Sequence, residues 1–422
     1  MEKRRNRKRK RNRRFNSIFF MSILFLLSLS LFTYLAFTLP KEIKSRSDEV
    51  SVASENKKTQ EDSQRKRKED KAVKEDKALS KDKEKKGNEK QSDKKVKAKE
   101  DSKDHLPIEL VFVGDLLMDW STKITMDSKG VDYPFVHVKE AISKADLAIA
   151  NLENPLTTRN ESFKDKNQLY NFQAKPEHIK GVINTGFDLV SLANNHALDY
   201  GEEGLLDTFA TLEHHKLDYI GAGRTMEEAF QTKEYVIKGK KIRIMAASRF
   251  VPAVSWYTFA PGTKAGLAGA YDLEYLVKKV AEEKVDTDYL FLFIHWGIEK
   301  TFTPADYQKI YVQRLVEAGV DGIIGSHPHV LQGFEYYNNV PIAYSLGNFL
   351  FPNYVKGDTA ETGLLTLTIQ EGNVNMAFKP YYIKDDQITP LSLEEEKKIL
   401  NKLASVSYNV QMNGYDIQRV NE

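Results

Sequence analysis

Hydrophobic positions fall into three regimes along the 422 residues of the chain. Residues 15–39 form one apolar run without a charge, and residues 41–105 almost lack apolar side chains. From Leu106 onward short apolar runs alternate with amphipathic stretches. In this last regime "IELVFVGD", "DLAIAN", "FDLVSLAN", "LDYIGAG", "KIRIMAAS", "DYLFLFIHWG" and "VDGIIGSH" are short and rich in β-formers, which predicts strands. Between them apolar residues recur every three or four positions over Glu203 to His214, Tyr271 to Glu283 and Pro304 to Ala318, which predicts helices. Later, "GFEYYNN", "VPIAYSLGNFLF" and "TGLLTLTIQEGNVNMAFKPYYI" predict antiparallel strands, with "EGN" as a hairpin turn. The pattern describes an α/β domain over 106–422 whose sheet is mixed, parallel early and antiparallel late.

Charge sharpens the reading of the first 105 residues. Residues 1–14 carry ten Lys/Arg and one Glu, residues 41–105 carry 22 basic and 17 acidic side chains, and the remainder holds 31 basic and 42 acidic. A net charge of +3 therefore conceals a basic head on an acidic body. The apolar run behind the head exceeds the roughly 20 residues that a helix needs to cross a bilayer core. We expect a basic cytoplasmic head at 1–14 and a transmembrane helix at 15–39, with the C-terminal bulk outside the cell membrane. The run is longer than a signal-peptide core and lacks a small-x-small ending, so it reads as an anchor and not as a cleaved leader. Membrane, not nucleic acid, is the partner of such a head. Residues 40–105 read as a disordered charged tether, with a long solvated helix as the alternative. The chain has no Cys, so disulfides and thioether-linked lipids are excluded.

Chemistry-bearing residues gather just after the strands, where ligands sit in α/β folds. Strand ends deliver Asp115 ("VGD"), Glu153 ("ANLEN"), Asn195 and His196 ("LANNH"), His295 ("FIHWG") and the pair His327 and His329 ("SHPH"). Each has a bland reading alone, as a turn, a cap or a structural histidine. Their common position at one sheet edge turns them into a set of imidazole and oxygen donors suited to a divalent metal, Mn, Zn or Fe. In an extended segment His327 and His329 point to the same side, with Pro328 restricting the backbone between them. An acid or Asn that reaches two ions can bridge them. Glu299 and Asn348 stand close enough in sequence to line the same pocket; Trp296 reads as core, and Arg249 as a second candidate lining residue. "GAGRTMEEA" lacks the Lys-Ser/Thr ending of a phosphate loop and reads as a turn into a helix at Met226.

The segments "FVGDLLMDW", "ANLENPLT", "GFDLVSLANNHALDYGEEGLLDTFATL", "YIGAG", "FIHWGIEK" and "VEAGVDGIIGSHPHVLQGFEYYNNVPIAYSLGNFLF" together resemble the CapA family of poly-gamma-glutamate capsule synthesis proteins, from about Leu110 to Phe351. That family's domain is similar to the calcineurin-like metallophosphoesterases. The resemblance implies a four-layer α/β/β/α sandwich with mixed sheets behind an N-terminal membrane anchor. It also implies roles: Asp115, Glu153, Asn195, His295, His327 and His329 as metal ligands, with Glu153 in the bridging place, and His196 with Asn195 as catalytic residues. The phosphoesterase first motif, D-x-H, departs here to Asp115, Leu116, Leu117, which leaves one metal position short of a histidine and Asp119 as the substitute to consider. One or two ions follow.

Two functions are compatible with this. One is a metal-dependent hydrolase-type site, phosphoesterase-like or amide-acting, serving synthesis, export or anchoring of poly-gamma-glutamate or a related envelope polymer. The other is a non-enzymatic accessory subunit that binds the anionic polymer beside its membrane synthase. Oligomeric state is not legible from one chain.

Overall fold

The first strand shows how the layers arise. In β1 (Ile108–Leu116) Leu110 and Phe112 pack with Phe291, Phe293 and Ile324, while Val111 and Val113 pack with Phe135, Ile142 and Phe209. Both faces of the strand are therefore apolar, which is why it reads as a continuous hydrophobic run. The computed structural model describes residues 106–420 apart from 167 and 259–263, and the expected head, membrane helix and tether lie outside them. Among the described residues no helix is long and apolar enough to cross a membrane.

Two mixed sheets face each other. The ten-stranded sheet runs in the order β17 (Val410–Asn413), β18 (Asp416–Arg419), β15 (Asn373–Lys384), β14 (Glu361–Gln370), β1, β2 (Leu147–Leu152), β3 (Leu189–Ser191), β4 (Asp218–Ile220). Beside this path β13 (Asn348–Leu350) pairs with β1, and β16 (Gln387–Thr389) with β15. The six-stranded sheet runs β11 (Phe334–Tyr337), β12 (Val340–Ala343), β10 (Gly322–Ser326), β9 (Tyr289–His295), β7 (Lys240–Ser248), β6 (Lys233–Ile237). A two-stranded piece joins β5 (Ala222–Gly223) to β8 (Gly266–Leu267). The strands β1 to β4 are parallel, as are β7, β9, β10 and β12, and the late strands β14 and β15 are antiparallel. The chain builds one sheet, then the other, and returns to the first.

Helices cover the outer faces. Met126 of α1 (Trp120–Lys129), Val182 of α2 (Ile179–Thr185) and Leu205, Phe209 and Leu212 of α3 (Gly201–His215) pack on the ten-stranded sheet. Leu276 and Val280 of α4 (Leu273–Lys284), with Val312 and Leu315 of α5 (Asp306–Glu317), cover the six-stranded sheet. The three helices expected from periodicity are thus present, each displaced by no more than a few residues at its ends. Hairpins close with left-handed residues, among them Asn338 and Asn339 between β11 and β12, and Glu371 with Gly372 between β14 and β15. The latter is the turn expected at "EGN". No element is expected from the sequence pattern after residue 383, where the structure has α6 (Leu393–Ser405), β16, β17 and β18. Ile399 and Leu403 of α6 join the core between the sheets, and a Ser392–Glu395 capping box starts the helix.

Candidate functional site

The carboxyl ends of both sheets meet at one place. In the ten-stranded sheet the register sets Asn348 beside Asp115, Asp115 beside Asn151, and Asn151 beside Ser191. In the six-stranded sheet Ser248 and Ser326 flank His295. The expected single sheet edge is thus two edges. Asp115, Glu153, Asn195 and His196 come from the larger sheet, and His295, His327 and His329 from the smaller. Tight packing lets them approach: a Cβ on Gly114 would lie 1.9 Å from the Gly347 carbonyl oxygen, and one on Gly325 would lie 2.1 Å from that of Tyr344.

Across the seam His295 Nε2 lies 2.6 Å from Asn195 Oδ1 and 3.6 Å from Glu153 Oε1. The amide of His327 donates to Asp115 Oδ2 at 3.3 Å, and His329 Nδ1 is 3.7 Å from that same oxygen. Three sets of donor atoms converge within 4.8 Å: Glu153, His295 and His327; Asp115, Glu153 and His329; and Glu299, His327 and His329. Glu153 is common to the first two. It is fully buried, and among the described residues neither of its carboxylate oxygens has a hydrogen-bond partner. The buried Nδ1 of His327 lacks one too.

Electrostatics follow from this burial. Desolvation raises Glu153 well above the ordinary carboxylate range, and the charges of Asp115 and Glu299 add to it. Desolvation also raises Asp115, against the opposing influence of His329. It holds His295 and His327 well below the ordinary imidazole range, with neighbouring histidines adding to the effect. Acids that resist ionisation beside imidazoles that resist protonation form a donor set matched to a cation. A divalent metal fits the oxygen and nitrogen donors present, because it would neutralise the acids and use the neutral rings.

Some residues depart from their expected behaviour. His327 and His329 do not converge through an extended segment: β10 ends at Ser326, and both histidines are left-handed, with φ of 100° and 56°. Their rings stand 6.0 Å apart, and the ring of Phe250 stacks on that of His327 at 4.4 Å. Asp119 is a helix cap. Its Oδ1 accepts from the amide of Trp120 at 2.8 Å and its Oδ2 from that of Gln173 at 2.9 Å, and it belongs to none of the three donor sets. Replacing Asp119 with Ala is expected to lower stability by about 1 kcal/mol without changing metal content, whereas Asn retains the cap; denaturant melts and elemental analysis test this. Leu117, standing where the D-x-H motif has histidine, is fully buried against Phe172, Phe351 and Val355. Asn348 orients a histidine, its Oδ1 lying 2.8 Å from His329 Nδ1. Trp296 is buried core, donating to the Tyr344 carbonyl at 3.0 Å, and Arg249 lies over the Tyr271 ring at 3.5 Å.

Asn151 and Asp199 are absent from the sequence reading. Asn151 Nδ2 donates to Asp115 Oδ1 at 2.8 Å and lies 3.5 Å from His295 Nδ1, tying the two sheets together. Asp199 is fully buried, and its Oδ2 meets His196 Nδ1 at 2.8 Å and accepts from the Phe172 amide at 2.7 Å. The signal for it was an acid three residues after a histidine in a turn.

The family of the bacterial capsule synthesis protein PGA_cap matches residues 109–353. The PGA biosynthesis protein CapA of Bacillus subtilis (strain 168) is 32% identical over 240 residues, which are 57% of this chain and 62% of that protein. The capsule biosynthesis protein CapA of Bacillus anthracis is 32% identical over 264 residues, 61% of this chain and 62% of that protein. A probable polyglutamine synthesis accessory protein of Mycobacterium tuberculosis is 28% identical over 214 residues, 48% of this chain and 55% of its own. The matches thus span less than two thirds of each relative. Among solved structures, a 5'-nucleotidase from Candida albicans aligns at 12% identity with a TM-score of 0.38 over 70% of this chain and 54% of that one, too low a score to bear on activity. The family match covers more than half of the 422 residues and contains every expected donor, so the chain belongs to the bacterial capsule synthesis protein PGA_cap family.

Proposed function

We propose that this protein serves the synthesis, export or anchoring of poly-gamma-glutamate or a related envelope polymer, through a metal-dependent hydrolase-type site held outside the membrane by the helix at 15–39. The observation that carries the proposal is Glu153, a buried carboxylate whose two oxygens have no hydrogen-bond partner among the described residues, common to two convergent sets of donors. Asp115 and His329 would complete one metal position, and His295 with His327 the other, with the Asn195 oxygen aimed at the His295 ring. A divalent ion at such donors supplies Lewis acidity to a substrate oxygen and makes water easier to deprotonate.

The chain's own contribution to turnover centres on His196. Asp199 engages its Nδ1, which leaves Nε2 as the ring atom able to give a proton to a leaving group. Phe172, with its ring 4.7 Å away, limits the orientations open to that imidazole. Asn151 and Asn348 hold Asp115 and His329 in place, so the donors need little rearrangement.

Elemental analysis of the purified chain tests the metal. Bound Mn, Zn or Fe that chelators remove, together with a melting temperature restored on re-addition, is the expected result; absence of both overturns the proposal. A second reading, a non-enzymatic accessory subunit binding the polymer beside its synthase, is favoured by the apolar Leu117 in the place of a ligand. Polymer production in a deletion strain decides between the two. Restoration by the wild type but not by His196→Ala supports the hydrolase, whereas full restoration by both supports the accessory role.

A further inference from the structure

Next to the donors stands a wall of aromatic rings that the hydrolytic reading leaves unused. Trp120, Tyr170 and Tyr354 are 44%, 56% and 49% exposed, unusual for such large side chains in one place. The Trp120 ring lies 5.3 Å from Phe172, 5.3 Å from Tyr354 and 6.1 Å from Tyr170, and Tyr170 is parallel to Phe172 at 6.5 Å. The wall is continuous with the site at two points: Phe172 is 4.7 Å from His196, and Phe351, 6.3 Å from Tyr354, is 5.2 Å from His329. Leu117 packs behind it against Phe172 and Phe351, so the position where D-x-H would put a ligand supports aromatic surface instead.

Backbone geometry gives an independent reason to regard the wall as functional. Trp120 has φ of 49°, a left-handed conformation that a bulky side chain adopts at a cost of roughly 1–3 kcal/mol. The fold meets that cost and leaves the indole nearly half exposed. Strain retained to present an apolar ring beside a reactive centre is accounted for when the ring meets a ligand.

We infer that Trp120, Tyr170 and Tyr354 form a stacking subsite for a ring-bearing unit of the substrate, a sugar ring that lays its C–H face on the aromatic surface while the bond to be cut reaches His196 and the metal donors. Aromatic faces carry a negative quadrupole and attract the weakly positive C–H edges of such a ring. A gamma-glutamyl chain is flexible and has no ring to lay on these faces, whereas a sugar ring has one. The inference rests on the hydrolase-type reading only for the position of the bond, and within that reading it takes the related envelope polymer, or the acceptor to which the polymer is anchored, to carry sugar units.

Tryptophan fluorescence tests it directly. Of the chain's three tryptophans, Trp256 and Trp296 are buried, so Trp120 reports on this surface. The metal-loaded full chain is titrated with an N-acetylglucosamine oligomer, with a gamma-glutamyl oligomer of equal length, and with phosphatidylglycerol vesicles. The expected result is a saturable emission change with the sugar oligomer, weakened about 2- to 10-fold in Tyr170→Ala and in Tyr354→Ala. The change should be absent in Trp120→Phe, which keeps a ring but loses the reporter, while calorimetry shows that Trp120→Phe still binds and Trp120→Ala does not. A response to the gamma-glutamyl oligomer alone, to vesicles alone, or to none of the three overturns the subsite. Because binding is read without turnover, an inactive protein that still binds the sugar oligomer would remove the hydrolase reading and leave the subsite standing.

Discussion

Freed of metal, the Glu153→Gln variant is expected to melt higher than the wild type at neutral pH and to lose the further gain that a divalent cation gives the wild type. Glu153 is buried without a hydrogen-bond partner among the described residues, and its carboxyl is raised well above the usual range by desolvation. The unfolded chain releases that proton near pH 4.3, so above about this pH the folded state holds a proton the unfolded state has lost. Stability therefore falls as pH rises from there towards the raised value. Glutamine has no such proton, and its advantage grows through the same window, reaching about 1–2 kcal/mol or about 3–6 °C. His295 and His327 act oppositely. Their rings stay neutral in the fold while the unfolded chain protonates below the imidazole range, so they lower stability in acid and cease to do so as pH rises.

A divalent cation reverses the penalty on Glu153, since it needs the ionised acid and the neutral rings together, and its affinity rises with pH. At a free concentration about 100-fold above Kd it adds about 2.7 kcal/mol to the wild type. Thermal melts of both proteins from pH 5 to 8, with chelator and with Mn or Zn, check all of this. A variant that melts below the chelated wild type throughout, or that responds to metal as the wild type does, contradicts the assignment of Glu153.

Under the proposed hydrolytic function, loss of the His196 imidazole is expected to reduce turnover about 10²–10⁴-fold with metal content unchanged. The separation of the two effects follows from position: His196 belongs to none of the convergent donor sets, and its partner is the buried Asp199. Asp199→Asn should weaken turnover less, since it changes the ring's orientation but not its presence. Release rates from a chromogenic phosphoester and from gamma-glutamyl peptides, beside elemental analysis of each variant, provide the measurement. Unchanged turnover in His196→Ala removes it from the chemistry, and lost metal would make it a ligand instead.

Much of this site was visible along the chain because strands end where ligands are held, and each expected donor follows an apolar run or a turn behind one. The helices at 201–215, 273–284 and 306–317 were visible for a similar reason, a 3.6-residue period imposed by a buried face. Asp119 misled because a carboxylate four residues after Asp115 can as well cap a helix as bind an ion, and only the Trp120 and Gln173 amides distinguish the two. Asn151 went unnoticed because its role depends on Asp115 and His295, residues on separate strands in different sheets.

By itself the sequence determined which side chains stand at the strand ends, the α/β character of residues 106–422 and the families the chain resembles, since these depend on local order and composition. Tertiary structure decided the rest. It split the donors between two sheets, brought His295 to Asn195, and turned "HPH" inward through two left-handed residues instead of an extended strand. Burial is what converted these residues from a list into chemistry. Taken out of water with no hydrogen bond to its oxygens among the described residues, Glu153 becomes a group that calls for a cation, and no count of charges along the chain contains that information.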